Sequence, residues 1–87
     1  MKVLELRDIK KKESLVHYRR VFTGSAVLEL VQEKKVNKPV EFILEHTPTG
    51  KTNIQVQLLD DINYPLVPAI KSLKEYISDL ESKGLLP

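Results

Sequence analysis

The chain has 87 residues, 41% hydrophobic and 30% charged, a balance that supports one folded domain over residues 1–87 and excludes a disordered or low-complexity chain. It has no cysteine, which excludes a disulfide framework, a thiolate nucleophile and a cysteine-bound zinc or iron–sulfur site. Net charge is only +2, but residues 1–38 hold 10 basic and 5 acidic side chains and residues 39–87 hold 4 and 7; such asymmetry is most often a solvated dipole and can also mark an anionic partner.

Residues Lys2 to Ile9 alternate Val3, Glu5 and Arg7 against Leu4, Leu6 and Asp8, predicting a half-buried strand with Leu4 and Leu6 inward. The acids among these apolar residues do not suit a secretory signal, and no apolar run approaches a membrane span, so the expected address is cytoplasmic with no membrane contact. Lys10-Lys11-Lys12-Glu13 reads as a solvated connection, with a phosphate-contacting loop as the alternative. Ser14 to Thr23, rich in β-branched and aromatic residues, predicts a second strand with Val16, Tyr18, Arg20 and Phe22 on one side and Leu15, His17, Arg19 and Val21 on the other. If the first side is the core side, Arg20 has to snorkel to the sheet end or find a carboxylate.

A turn at Thr23-Gly24-Ser25 would start a third strand over Ser25 to Val36, placing Ala26 opposite Phe22, Leu28 opposite Arg20 and Leu30 opposite Tyr18, with Val27, Glu29 and Val31 outward. The same segment fits a helix capped by Ser25 and ended by Asn37 and Pro39. The strand is preferred for its density of β-branched residues.

Pro39 to Leu58 predicts a hairpin. Pro48 suits the first central position of a type I turn and Gly50 the left-handed position closing a three-residue loop. With Thr47 facing Lys51, Leu44 meets Ile54, Phe42 meets Val56 and Val40 meets Leu58 on an apolar face. Glu45 with Asn53, Ile43 with Gln55 and Glu41 with Gln57 make a mostly polar second face. Asp60 and Asp61 then precede a helix whose dipole they would complement. Leu66, Ala69, Ile70, Leu73, Ile77 and Leu80 recur at helical spacing, Pro65 and Pro68 mark its first turn, and Gly84 its end, with Leu85 folding back on Leu80.

These elements make an α+β chain: an antiparallel β-meander of about five strands with one C-terminal amphipathic helix packed across one sheet face, the alternative being β-β-α-β-β-α. One helix cannot cover both sides of such a sheet.

Chemistry-bearing motifs are weak. Thr49-Gly50-Lys51-Thr52 contains the Gly-Lys-Thr of a P-loop, but Glu45 stands where that motif needs glycine and the segment lies in a hairpin. His17 and His46 have no metal-ligand spacing, and adjacent Asp60 and Asp61 lack a spaced set of further oxygen ligands. The expectation is therefore no enzyme, no cofactor and no metal. The sheet face away from the helix would gather His17, Arg19, Val21, Val27, Val31 and Ile43, with Gln55 and Gln57 nearby, too apolar a set for an idle surface. The expected function is a protein-interaction or homo-oligomerisation module, with a homodimer first among its partners. The alternative is a single-stranded nucleic-acid module in which Lys10, Lys11, Lys12, Arg19, Arg20, Lys34 and Lys35 contact phosphates and Tyr18 or His17 stacks a base. Four strands followed by a helix resembles the layout of small single-strand binders of the transcription-coactivator and Pur type. The low aromatic content of 6% and the acids Glu29, Glu41 and Glu45 on the same face favour the interaction module.

Overall fold

The structure is a computed structural model describing residues 1–31 and 34–87. Four antiparallel strands form one meander in chain order: β1 (Lys2–Lys12), β2 (Arg19–Glu29), β3 (Lys35–His46) and β4 (Thr52–Leu58); one helix, α1 (Leu66–Ser82), follows. The fold class is α+β, with four strands in place of the expected five.

The difference arises at Gly24. The anticipated turn at Thr23-Gly24-Ser25 does not form; β2 runs straight through it, so the two strands expected over 14–23 and 25–36 are largely one. Glycine serves a different need here. A Cβ at Gly24 would lie 3.1 Å from the Arg7 carbonyl oxygen and 3.5 Å from Ile9 Cγ1, so the missing side chain lets an irregular stretch of β1 approach. The reversal comes later, where the Leu30 N–H donates to the Lys34 carbonyl at 2.7 Å. Residues 25–29 belong to β2, which overturns the helical alternative for that segment; Gln32 and Glu33, also within it, lie outside the described residues.

The hairpin of β3 and β4 has the expected register throughout, from Val40 opposite Leu58 to Leu44 opposite Ile54. Gly50 takes φ +84°, and the Thr47 N–H donates to the Lys51 carbonyl at 2.8 Å. β3 begins at Lys35, before Pro39. Proline is tolerated inside this central strand because its carbonyl accepts from the Leu59 N–H at 3.0 Å. N–H and C=O of one strand residue point the same way, so the missing donor faces the end of β4 and costs the β2–β3 ladder nothing.

β1 extends through the three lysines expected to form a connection. Register shifts fall between Val3 and Glu5 and between Arg7 and Lys10, and Asp8 has φ 53°. The first shift changes which residues face inward: Val3, Leu6 and Ile9 pack against the core, and Leu4, expected there, does not.

Phe22 and Phe42 lie opposite one another at the centre, rings stacked with centroids 5.1 Å apart. Around them Ala26, Leu28, Val40 and Leu44 are fully buried, and α1 closes the layer with Ala69, Leu73 and Ile77. The helix touches β4 and β1, the two outer strands. Leu66, expected in its buried stripe, is 59% exposed, because the first turn projects beyond the core. No side chain caps the helix start and no acid lies in its first turn. Asp60 instead accepts from the Asp61 N–H at 2.9 Å and pairs with Lys38 at 3.4 Å. At the other end Gly84 takes φ +68° and the Leu85 N–H donates to the Leu80 carbonyl at 3.0 Å. Leu86, not Leu85, packs against the core. No helix is long and apolar enough to cross a membrane.

Two outcomes test this packing. Leu73→Ala removes a fully buried contact and should cost about 2–5 kcal/mol in denaturant unfolding. Gly24→Val should destabilise by about 1–3 kcal/mol through overpacking against β1, whereas a turn glycine at that position would have cost strain of a different kind, relieved by asparagine.

Candidate interaction surfaces

Strand alternation divides the sheet into the face under α1 and an uncovered face. On the latter, Val21 stands opposite Ile43, Arg19 opposite Glu45 and Thr23 opposite Glu41, while Lys12 of β1 stands opposite Val21. Val21 and Ile43 are half-buried. Ion pairs surround them. Lys12 Nζ lies 3.1 Å from Glu41, and Arg19 reaches Glu45 through Nη2 at 2.8 Å and Nε at 3.1 Å. Arg7 and Glu5 pair further along β1.

Of the six residues expected to form one surface, four come together: Arg19, Val21 and Ile43 on the face, with exposed His17 just before β2. The other two do not join them. Val27 is only 8% exposed, because it is a small side chain in a central strand with Glu5 and Asn37 in register on either side. Val31, 64% exposed, lies past the far end of β2, roughly 35 Å from Arg19 at the usual strand rise. Gln55 and Gln57 are exposed beside Ile43 and Glu41, as their register requires.

The basic residues also divide. Lys11, Lys12, His17, Arg19 and Arg20 line an open depression where β1 passes to β2, together with Glu13 and Leu15. Lys10 is exposed nearby on β1. Tyr18, exposed, lines a separate hollow with Glu45, His46 and Pro48, while Lys34 and Lys35 lie exposed at the opposite end of the sheet. Within the depression, three cations are already engaged: Lys12 with Glu41, Arg19 with Glu45 and Arg20 with Glu81.

Arg20 is the special case. Its even position in β2 puts it on the core face opposite Leu44. It escapes to the end of the sheet, where Nη2 donates to Glu81 of α1 at 2.6 Å and lies 3.2 Å from His46 Nε2; Nε is buried without a partner among the described residues. His46 also contacts the Thr52 hydroxyl at 3.3 Å through Nδ1. Among the described residues no three His, Asp or Glu side chains gather in a way that could hold a metal ion. The Lys83 ammonium is raised above its ordinary pKa by a hydrogen bond from its side chain to Asp79 and by that carboxylate's charge, but it is fully exposed at the helix end. The arrangement is thus one of mutually satisfied charges around small apolar patches, which suits recognition.

Sequence reasoning missed Leu15, which is fully exposed, because residues 14–18 read as strand. Ser14 carried the signal: its Oγ accepts from the Val16 N–H at 3.2 Å, a short polar side chain organising a loop. The Arg20 to Glu81 contact predicts that Glu81→Gln lowers stability by about 1–2 kcal/mol, since it weakens a charge-assisted bond to a half-buried guanidinium. Replacing both, Arg20→Met with Glu81→Leu, should recover most of that loss in the same thermal melt.

The chain matches the model of one protein family, the BB_0187 family, over residues 1–82. No curated protein and no solved structure matches it.

Proposed function

For a chain that belongs to this family over nearly its whole length, we propose the role of a small, non-catalytic, single-domain module of the cytoplasm that binds a protein, another chain or a second copy, through the sheet face opposite α1. The one-sided cover of the sheet carries this reading: α1 takes one face, and among the described residues no layer lies over Val21 and Ile43 on the other. An apolar pair rimmed by polar and charged side chains has the anatomy of an interface core and rim. The rim pairs Lys12–Glu41 and Arg19–Glu45 are solvent-exposed, so rearranging them against a partner costs little.

A nucleic-acid role has one observation in its favour, the gathering of Lys11, Lys12, Arg19 and Arg20 around one depression. Phosphate would have to displace three internal carboxylates there, and Lys34 and Lys35 are too distant to continue the track.

The test is a photo-crosslinking side chain placed at Val21, with a control at Lys71 on the exposed side of α1, in cells and on the purified protein. Discrete adducts from Val21 alone are expected, and an adduct of twice the chain mass would identify self-association. Equal adducts from both positions, or none from Val21, would refute the sheet face. Binding of a single-stranded oligonucleotide that weakens steeply with salt and is lost in Lys11→Glu would reverse the ranking.

A further inference from the structure

A meander of four strands has two outer edges, and this protein treats them differently. β1 is blunted as edge strands usually are: its ladder is interrupted twice, Asp8 turns to φ 53°, and Lys2, Lys10, Lys11 and Lys12 line it. β4 has none of these devices. Thr52-Asn-Ile-Gln-Val-Gln-Leu58 holds no charge, proline or glycine in a chain that is 30% charged, and its pairing with β3 runs without a shift.

The ladder fixes which backbone groups of β4 face outward. The Lys51 carbonyl accepts from Thr47 and the Leu59 N–H donates to Pro39, so the odd-numbered residues from 51 to 59 turn their groups toward β3. The N–H and C=O groups of Thr52, Ile54, Val56 and Leu58 therefore point away from the sheet. Among the described residues no backbone group pairs with them.

We propose that two copies of this chain join β4 to β4, antiparallel, about a two-fold axis through Gln55, so that their sheets become one. In this register Thr52 meets Leu58 and Ile54 meets Val56, and every outward group of both strands is paired, making about eight hydrogen bonds. Parity also agrees. Ile54, Val56 and Leu58 of the two copies continue one apolar face, and Asn53, Gln55 and Gln57 continue the amide face. A slip of one residue would set outward groups against inward ones, and a slip of two would leave end groups unmade.

The strand is its own complement, which is why a second copy is the occupant. Gln55 faces Gln55 on the axis and Asn53 faces Gln57; each amide both donates and accepts, and no like charges meet. Neither Val21 nor Ile43 takes part, so this contact stands apart from the sheet-face reading and each can fail without the other.

The absence of cysteine makes the test clean. Gln55→Cys places two sulfurs across a non-hydrogen-bonded pair with Cα atoms about 4.5 Å apart, within disulfide reach. Asn53→Cys instead faces Gln57 of the other copy and leaves its own pair of sulfurs roughly 13 Å apart. Light scattering of the wild-type protein at tens of micromolar should give twice the chain mass, and mild oxidation should cross-link the Gln55 variant and spare the Asn53 variant. Gln55→Lys should give a monomer with an unchanged circular dichroism spectrum, and Val21→Lys should leave the dimer intact. A wild-type monomer, equal cross-linking of the two cysteine variants, or a Gln55→Lys dimer would overturn the proposal.

Discussion

The register that sets Phe22 opposite Phe42 is the constraint on which the remaining structure depends. Because side chains alternate strictly, placing these rings on one face decides the fate of every other residue in β2 and β3. Val40, Leu44, Ala26 and Leu28 follow them into the core. Val21, Ile43, Arg19 and Glu45 are sent to the other side. The same parity forces a charged residue, Arg20, onto the apolar face.

That forced charge ties sheet to helix. Arg20 sits near enough to the start of β2 to reach the sheet's end, and the last turns of α1 bring Glu81 to it. An apolar stripe of Ala69, Leu73 and Ile77 fixes which side of α1 faces the sheet but allows sliding along it; a directional contact near one end limits that sliding. Gly24 does comparable work for β1, whose interrupted strand approaches only where β2 has no side chain.

The fold leaves three kinds of surface: an uncovered sheet face, an irregular lysine-rich edge and a regular uncharged edge. Most basic residues near the β1–β2 connection are neutralised by carboxylates from β3 and α1. The excess positive charge of residues 1–38 is thus largely answered by the negative charge of residues 39–87 once the chain folds. A charge asymmetry along a sequence need not survive as an asymmetry in space.

Local signals determined the β3–β4 hairpin and the helix. Pro48, Gly50 and the alternation from Val40 to Leu58 act between near neighbours, as do the stripe of α1 and Gly84, so register and helix limits could be read from the chain alone. The need of Arg20 for a carboxylate was legible too, though not that Glu81 would answer it from 61 residues away. Tertiary structure decided the rest. Gly24 looks the same in a sequence whether it makes a turn or admits a neighbouring strand, and only the presence of β1 selects the second. Val3 replaced Leu4 in the core because a bulge shifts parity, and a bulge is a property of two strands together. Val27 alternates outward as expected, yet it lies too deep in a central strand to offer a surface. Of the candidate site, the sequence determined residue types and strand faces; distance along β2 and pairing with distant carboxylates decided which of them could act together.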